Sequence, residues 1–277
     1  ILGTGVVVLL ENRQPVKTIA WVLVLLLLPV IGLLFFYVFG EDMRKERRIE
    51  RKSINILTLR TLFELPEGEP HEVPPRYQRV VNLFEQHNAA LLTNHNKVDI
   101  YDEGADFILG LFKALLNAHH HIHLQSYIID DDALGQMLSD ILIAKAREGI
   151  EIRLIYDDVG CWNVHNKFFN RMLGEGIKVC AFMPVKAPMF THKINYRNHR
   201  KIAVIDGQIG FIGGMNIARR YVKGQGNQRW RDLHLRLVGH SVLSLQRDFL
   251  ADWSFATGVL ITDKIYYPRL NLHAGNA

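Results

Sequence analysis

From Thr18 to Gly40 the sequence reads TIAWVLVLLLLPVIGLLFFYVFG, without one charged side chain. A helix rising about 1.5 Å per residue over that length covers the roughly 30 Å of a bilayer's hydrocarbon core. The stretch therefore predicts a transmembrane helix. A secretory signal peptide fits less well, because the run is too long, lacks a small-residue cleavage site and follows another apolar segment, Ile1 to Leu10. That earlier segment is too short to span a bilayer, and the opening at Ile1 predicts a cut chain that has lost its first residues. Arg13 and Lys17 precede the predicted span, whereas Arg44, Lys45, Arg47, Arg48, Arg51 and Lys52 follow it. The excess of positive charge places everything after Gly40 on the cytoplasmic side of an inner (plasma) membrane. The interspersed Glu41, Asp42, Glu46 and Glu50 also suit a solvated helical linker, and both readings hold together.

With 277 residues, 48% of them hydrophobic, the chain can bury the core of one or two domains, which excludes disorder. A net charge of +5 favours acidic partners, whether phospholipid head groups, other phosphates or nucleic acid, without choosing among them. Cys161 and Cys180 form no CxxC pair, so neither a disulfide framework nor a zinc knuckle is supported, and both read as free thiols.

Three regions follow: a membrane anchor over 1–40, a basic linker with a connector helix (Arg76 to His87) over 41–94, and a catalytic domain over 95–277. In the last, strand-like runs at 98–101, 121–129, 151–156, 177–182, 202–205, 209–212 and 232–237 alternate with helical patterns at 105–118, 133–148, 164–173 and 242–253. That alternation predicts an α/β sandwich around a mostly parallel or mixed sheet. Gly149 and Gly174 stand where C-cap glycines stand, and Leu134, Met137, Leu138 and Ile141 predict the buried stripe of the second helix. The aperiodic stretch from Met183 to Arg197, with Lys186, His192 and Lys193, reads as a basic loop.

The loop leads into NHRKIAVIDGQIGFIGGMN, Asn198 to Asn216, where His199, Lys201 and Asp206 form an HxKxxxxD pattern followed by Gly213, Gly214 and Asn216. On a strand, residues two apart share a face, so the His199 imidazole and the Lys201 ammonium can converge on one ligand. A neutral imidazole beside a fixed cation suits attack on a phosphodiester, forming a phosphohistidine. Lys201 and the Asn216 amide would hold the non-bridging oxygens, with Gly214 allowing close backbone approach to the phosphate. Asp206 has the opposite strand parity, which assigns it an orienting or structural part in the candidate catalytic set. This set asks for no metal or other cofactor. The bare pattern is weak evidence: His95, Lys97 and Asp102 satisfy it too without the glycines or the Asn, and His165 with Lys167 nearly does.

The extended stretch is far more specific. NHRKIAVIDG with GGMN resembles the HKD motif of the phospholipase D superfamily, and the GG form resembles that of bacterial cardiolipin synthases. ENRQPVKTIAW, HIHLQSYIIDDD and WRDLHLRLVG agree in the same order. The resemblance implies a phospholipase D-like α/β sandwich half behind a transmembrane anchor. It also implies transfer of a phosphatidyl group between two phosphatidylglycerol molecules, with an opposing histidine as general acid and then base. Such enzymes carry two HKD motifs on one polypeptide and this chain has one, so the expected partners are the missing second half or a second copy, together with phosphatidylglycerol and anionic membrane lipids. No nucleic-acid partner is expected.

Other features have plain readings. His119, His120, His121 and His123 could suggest a metal site but lack carboxylate or cysteine partners. Gln125 and Tyr127 share parity with His121 and His123, so that strand face could line the site. Asp130, Asp131 and Asp132 suit an N-cap, and Trp230 to His234 would support the motif. GQIGFIGG is flanked by strands, not by the helix of a dinucleotide loop. The rival functions are a phospholipase D transferring to water, a nuclease, and a catalytically silent lipid-binding membrane subunit.

Overall fold

The computed structural model describes residues 15–33, 73–88, 92–93, 95–185, 197–224 and 230–268. They fall into two compact units, one holding 15–33 and the other holding nearly all the remaining described residues.

In the first unit, helix α1 (Pro15–Leu27) covers 13 residues. The chain bends at Leu28 before helical residues resume at Pro29. Pro29 has no N–H to continue the helix and its ring crowds the preceding turn. Gly32 then lies so close to α1 that a Cβ there would sit 2.8 Å from the Val24 carbonyl oxygen. The span expected over 18–40 is thus interrupted at Pro29. No helix among the described residues is long and apolar enough to cross a membrane. Residues 34–40, the charge run after them and the basic loop over 186–196 lie outside the described residues.

The second unit opens with α2 (Pro75–Asn88) and then builds a seven-stranded sheet. Its strands are β1 (Lys97–Tyr101), β2 (His121–Ser126), β3 (Glu151–Asp157), β4 (Lys178–Phe182), β5 (Ile202–Ile205), β6 (Ile209–Gly213) and β7 (His234–Val238). The order is β1-β7-β6-β5-β2-β3-β4. The β2–β3 and β3–β4 pairs are parallel and the others antiparallel, so the expected mixed sheet forms. Helices α3 (Gly104–Leu116), α4 (Ala133–Arg147), α5 (Asn166–Gly174) and the short α6 (Arg220–Lys223) complete the main core, in which Leu111, Leu115, Leu138 and Met172 are fully enclosed. Helix α7 (Ser241–Thr257) contributes Val242, Leu245, Phe249 and Trp253 to two smaller clusters, which include Ile155, Ile202 and Val204 of the sheet.

Local chemistry explains several boundaries. Asp132 caps α4 by accepting from the Leu134 and Gly135 N–H groups at 2.9 and 3.2 Å. The buried stripe of α4 is Gly135, Leu138, Ser139, Leu142 and Ile143, rotated from the expected one, and Met137 is 51% exposed. At the end of α5 the left-handed residue is Gly176 (φ 82°), not Gly174, which remains helical.

The turn between β5 and β6 matters most. Asp206 and Gly207 both have positive φ, 56° and 66°, and the Gln208 N–H closes onto the Ile205 carbonyl at 3.0 Å. This is the two-residue hairpin that Asp-Gly favours, because its handedness matches the twist of the strands.

Candidate active site

His199 sits on the irregular segment 197–200 that enters β5, and not within a strand as its parity argument assumed. Lys201 immediately precedes β5 and is 3% exposed, whereas His199 is open to solvent. The lysine Nζ nevertheless reaches both ring nitrogens of His199 at 3.0 Å and donates to the His199 carbonyl at 2.8 Å. The expected convergence is therefore present, with the ammonium in contact with the imidazole. Tyr127 adds a wall: its ring centroid lies 4.6 Å from that of His199, and Lys201 Nζ lies 5.2 Å from it, a cation–π distance.

Electrostatics favour a neutral imidazole. Desolvation and the adjacent Lys201 ammonium hold the His199 pKa below the usual histidine value, against the carboxylates of Asp232 and Asp157. Burial brings Lys201 down to about 8, and Asp232 opposes the shift. His234 of β7 also faces Lys201, and burial followed by that cation lowers it to about 3. Its ring stacks on Phe107 at 3.8 Å, and among the described residues its Nδ1 has no hydrogen-bond partner.

The other motif residues are bonded into the frame around this pair. Asn216 is 2% exposed; its amide nitrogen donates to the Tyr221 hydroxyl at 2.7 Å and its oxygen accepts from the Ile128 N–H at 3.0 Å. Among the described residues the second amide hydrogen has no partner. Gly214 was expected to help bind phosphate, but its N–H donates to the Leu233 carbonyl at 2.8 Å. The need for glycine there comes from Asp232, whose Oδ1 would lie 2.0 Å from a Cβ. The neighbouring Gly213 would likewise meet the Leu233 carbonyl oxygen at 2.4 Å. The glycine pair thus lets the start of β7 approach the end of β6, which brings Asp232 to the site.

Asp206 lies at the far end of β5, about 17 Å from Lys201 at 3.3 Å per residue. Its Oδ1 accepts from the His120 and His121 N–H groups at 2.8 and 2.9 Å, and its Oδ2 from the His119 N–H at 2.9 Å. It ties the entry of β2 to the hairpin and touches neither His199 nor Lys201.

The decoys stay apart: His95, Lys97 and Asp102 are exposed along the edge strand β1, and His165 precedes α5 on the surface. His121 and His123 are enclosed in a hydrogen-bonded chain through Gln246 and Arg153. Among the described residues no group of three or more His, Cys, Asp or Glu is placed to hold a metal ion. Of the aspartates near the site, Asp232 belongs to the stretch expected to support the motif, whereas Asp157 and Asp252 were not singled out from sequence.

Comparison with known proteins gives this geometry a family. Residues 111–253 match the family described as "Cardiolipin synthase, PLD-like domain", and residues 2–41 match "Phospholipase_D-nuclease N-terminal". A cardiolipin synthase of Alkalihalophilus pseudofirmus is 36% identical over 282 residues, covering 100% of this chain and 56% of its own length. One from Halalkalibacterium halodurans is 39% identical over 272 residues, covering 95% and 53%. The chain therefore spans about half the length of these relatives. Among solved structures, NucT from Helicobacter pylori aligns with a TM-score of 0.45 at 19% identity, over 58% of this chain and 98% of that one.

Proposed function

We propose a function from one premise: the chain belongs to the cardiolipin synthase, PLD-like domain family. It carries one half of a composite site for phosphatidyl transfer, and the second half comes from the remainder of a longer polypeptide or from a second copy. The observation that carries this reading is the open imidazole of His199 lying 3.0 Å from a buried ammonium, with its pKa held down so that a nitrogen lone pair is free at neutral pH.

In the first step a His199 nitrogen attacks the phosphorus of phosphatidylglycerol. An N–P bond forms, the P–O bond to glycerol breaks, and the departing oxygen takes a proton from the opposing half. Lys201, aided by the spare amide hydrogen of Asn216, neutralises the charge that builds on the non-bridging oxygens. In the second step the hydroxyl of another phosphatidylglycerol gives up its proton and attacks, breaking the N–P bond and releasing cardiolipin. The imidazole regains its lone pair.

Both substrates are lipids, and a membrane attachment through the 18–40 region with the catalytic part on the cytoplasmic side suits them. The supports are the uncharged run, the basic segment after it and the N-terminal family match over 2–41.

The test is conversion of labelled phosphatidylglycerol in detergent micelles by the full-length protein, by this chain alone and by His199→Ala. Cardiolipin with free glycerol, lost in the variant, supports the reading; phosphatidic acid alone would make water the acceptor; and unchanged turnover in His199→Ala would overturn it. Product from this chain alone would point to self-pairing.

A further inference from the structure

The segment that carries His199 belongs to none of the seven strands, so no ladder fixes it. Backbone outside a ladder needs other partners, and without them it opens easily. Here two carboxylates provide them. Asp157, the last residue of β3 and 1% exposed, accepts from the Asn198 N–H at 3.1 Å through Oδ2, and from Arg197 Nη1 at 3.3 Å through Oδ1. The same Oδ1 accepts from the Val159 and Gly160 N–H groups at 3.0 Å each, which fixes the carboxylate itself. Asp252, on α7 and 7% exposed, takes three donors on one oxygen: Gln125 Nε2 at 2.9 Å, Asn198 Nδ2 at 3.0 Å and Arg200 Nη1 at 2.7 Å. The residues on both sides of His199 are thereby clamped, one to the end of β3 and the other to α7 with β2.

We propose that Asp157 and Asp252 are positioning residues for His199, acting through Arg197, Asn198 and Arg200 to hold its ring over Lys201. The proposal rests on the reading of His199 as nucleophile. Packing alone does not account for Asp252, because its neighbours in sequence, Leu250 and Trp253, already fill an apolar cluster that an uncharged residue would join more readily. What the carboxylate adds is a common acceptor that joins two donors of the His199 segment, Asn198 and Arg200, to Gln125 of β2. The charged groups acting on His199 are Lys201 beside β5, Asp232 before β7 and Asp157 of β3. Asp252 is not among them, so the two aspartates have separable signatures. Loss of the Asp157 charge moves His199's protonation to lower pH, whereas loss of the Asp252 clamp loosens the ring without that shift.

The experiment uses the full-length protein in micelles. Wild type, Asp157→Asn, Asp252→Asn and Arg200→Met are compared by kcat and KM for phosphatidylglycerol, by thermal melting, and by the pH profile of diethyl pyrocarbonate modification of His199 read by mass spectrometry. Asp252→Asn is expected to lower kcat about 10- to 100-fold with KM within about threefold, since a displacement near 1 Å is enough for that loss. It should also raise the plateau rate of His199 modification. Asp157→Asn should shift the modification profile toward lower pH. Arg200→Met removes one of the three donors from a half-exposed side chain, so it carries the test if Asp252→Asn fails to fold, with about a 3- to 10-fold loss expected. Wild-type kcat and a wild-type modification profile in folded Asp252→Asn or Arg200→Met would overturn the proposal. If the wild-type protein converts no phosphatidylglycerol, the function reading fails, and the modification profiles alone decide the positioning role.

Discussion

Substitution of Asp206 separates the frame of the site from its chemistry. Its carboxylate accepts three N–H bonds, from His119, His120 and His121, in a turn position with φ of 56°. A net hydrogen bond to a charged group contributes about 1.5–3 kcal/mol, but the His119 and His120 groups can turn to water, so only the His121 bond approaches that range. Asp206→Ala also places a Cβ-bearing residue without a local acceptor in the left-handed region, at about 1 kcal/mol. The total is about 3–4 kcal/mol. Asp206→Asn keeps the Asn-Gly turn preference and one acceptor oxygen, which can serve His120 and His121, so about 1–2 kcal/mol is expected. Thermal unfolding of the full-length protein should order the variants as wild type, Asn, Ala, with about 2–4 °C per kcal/mol. Activity of the folded Asp206→Asn fraction at 25 °C should stay within about threefold of wild type, since the residue lies some 17 Å from Lys201. A fully folded Asp206→Asn protein as inactive as His199→Ala would refute this reasoning.

Three further outcomes follow from the same geometry. The kcat/KM profile of the full-length protein should be bell-shaped, with an acid limb below pH 6.5 as His199 protonates and an alkaline limb near pH 8 as Lys201 loses its proton; Lys201→Arg should move only the alkaline limb upward. Gly214→Ala would place a Cβ 2.0 Å from the Asp232 carboxylate and so push that side chain aside, and a loss of kcat of about tenfold with a stability change within about 1 kcal/mol is expected in activity and melting assays. His234 is neutral in the fold with its pKa lowered to about 3, against about 6.5 in the unfolded chain. Its contribution is complete above pH 6.5 and is lost progressively, up to about 4 kcal/mol, as pH falls toward 3. Denaturant unfolding across that window should show a shallower acid slope for His234→Phe, and an unchanged slope would exclude His234 as its source.

The legible part of this protein was the part encoded locally. Alternating apolar runs marked all seven strands, and the spacing of His199 and Lys201 marked their convergence, although the strand begins only at Ile202. The strand parity of Tyr127 hinted at its place beside His199. Asp157 and Asp252 carried no such signal, because they reach the site from the end of β3 and from α7 and no local spacing links them to the motif, whereas Asp232 was visible as part of the supporting stretch Trp230 to His234. The Asp-Gly pair at 206–207 was readable as a hairpin turn, and that reading would have placed Asp206 at the opposite end of the strand from the histidine. The apolar run misled in one respect: length and hydropathy suggested a single helix, and Pro29 interrupts it.

The most direct test of the central claim is to trap the intermediate. The full-length protein is quenched in cold denaturant at mildly alkaline pH during turnover of phosphatidylglycerol labelled in its phosphate and acyl chains, and its peptides are mapped by mass spectrometry without exposure to acid. An acid-labile phosphatidyl adduct on the peptide containing His199, absent from His199→Ala, is the predicted result. An active wild-type enzyme with no adduct on that peptide, or with the adduct retained in His199→Ala, would contradict the assignment of His199 as nucleophile.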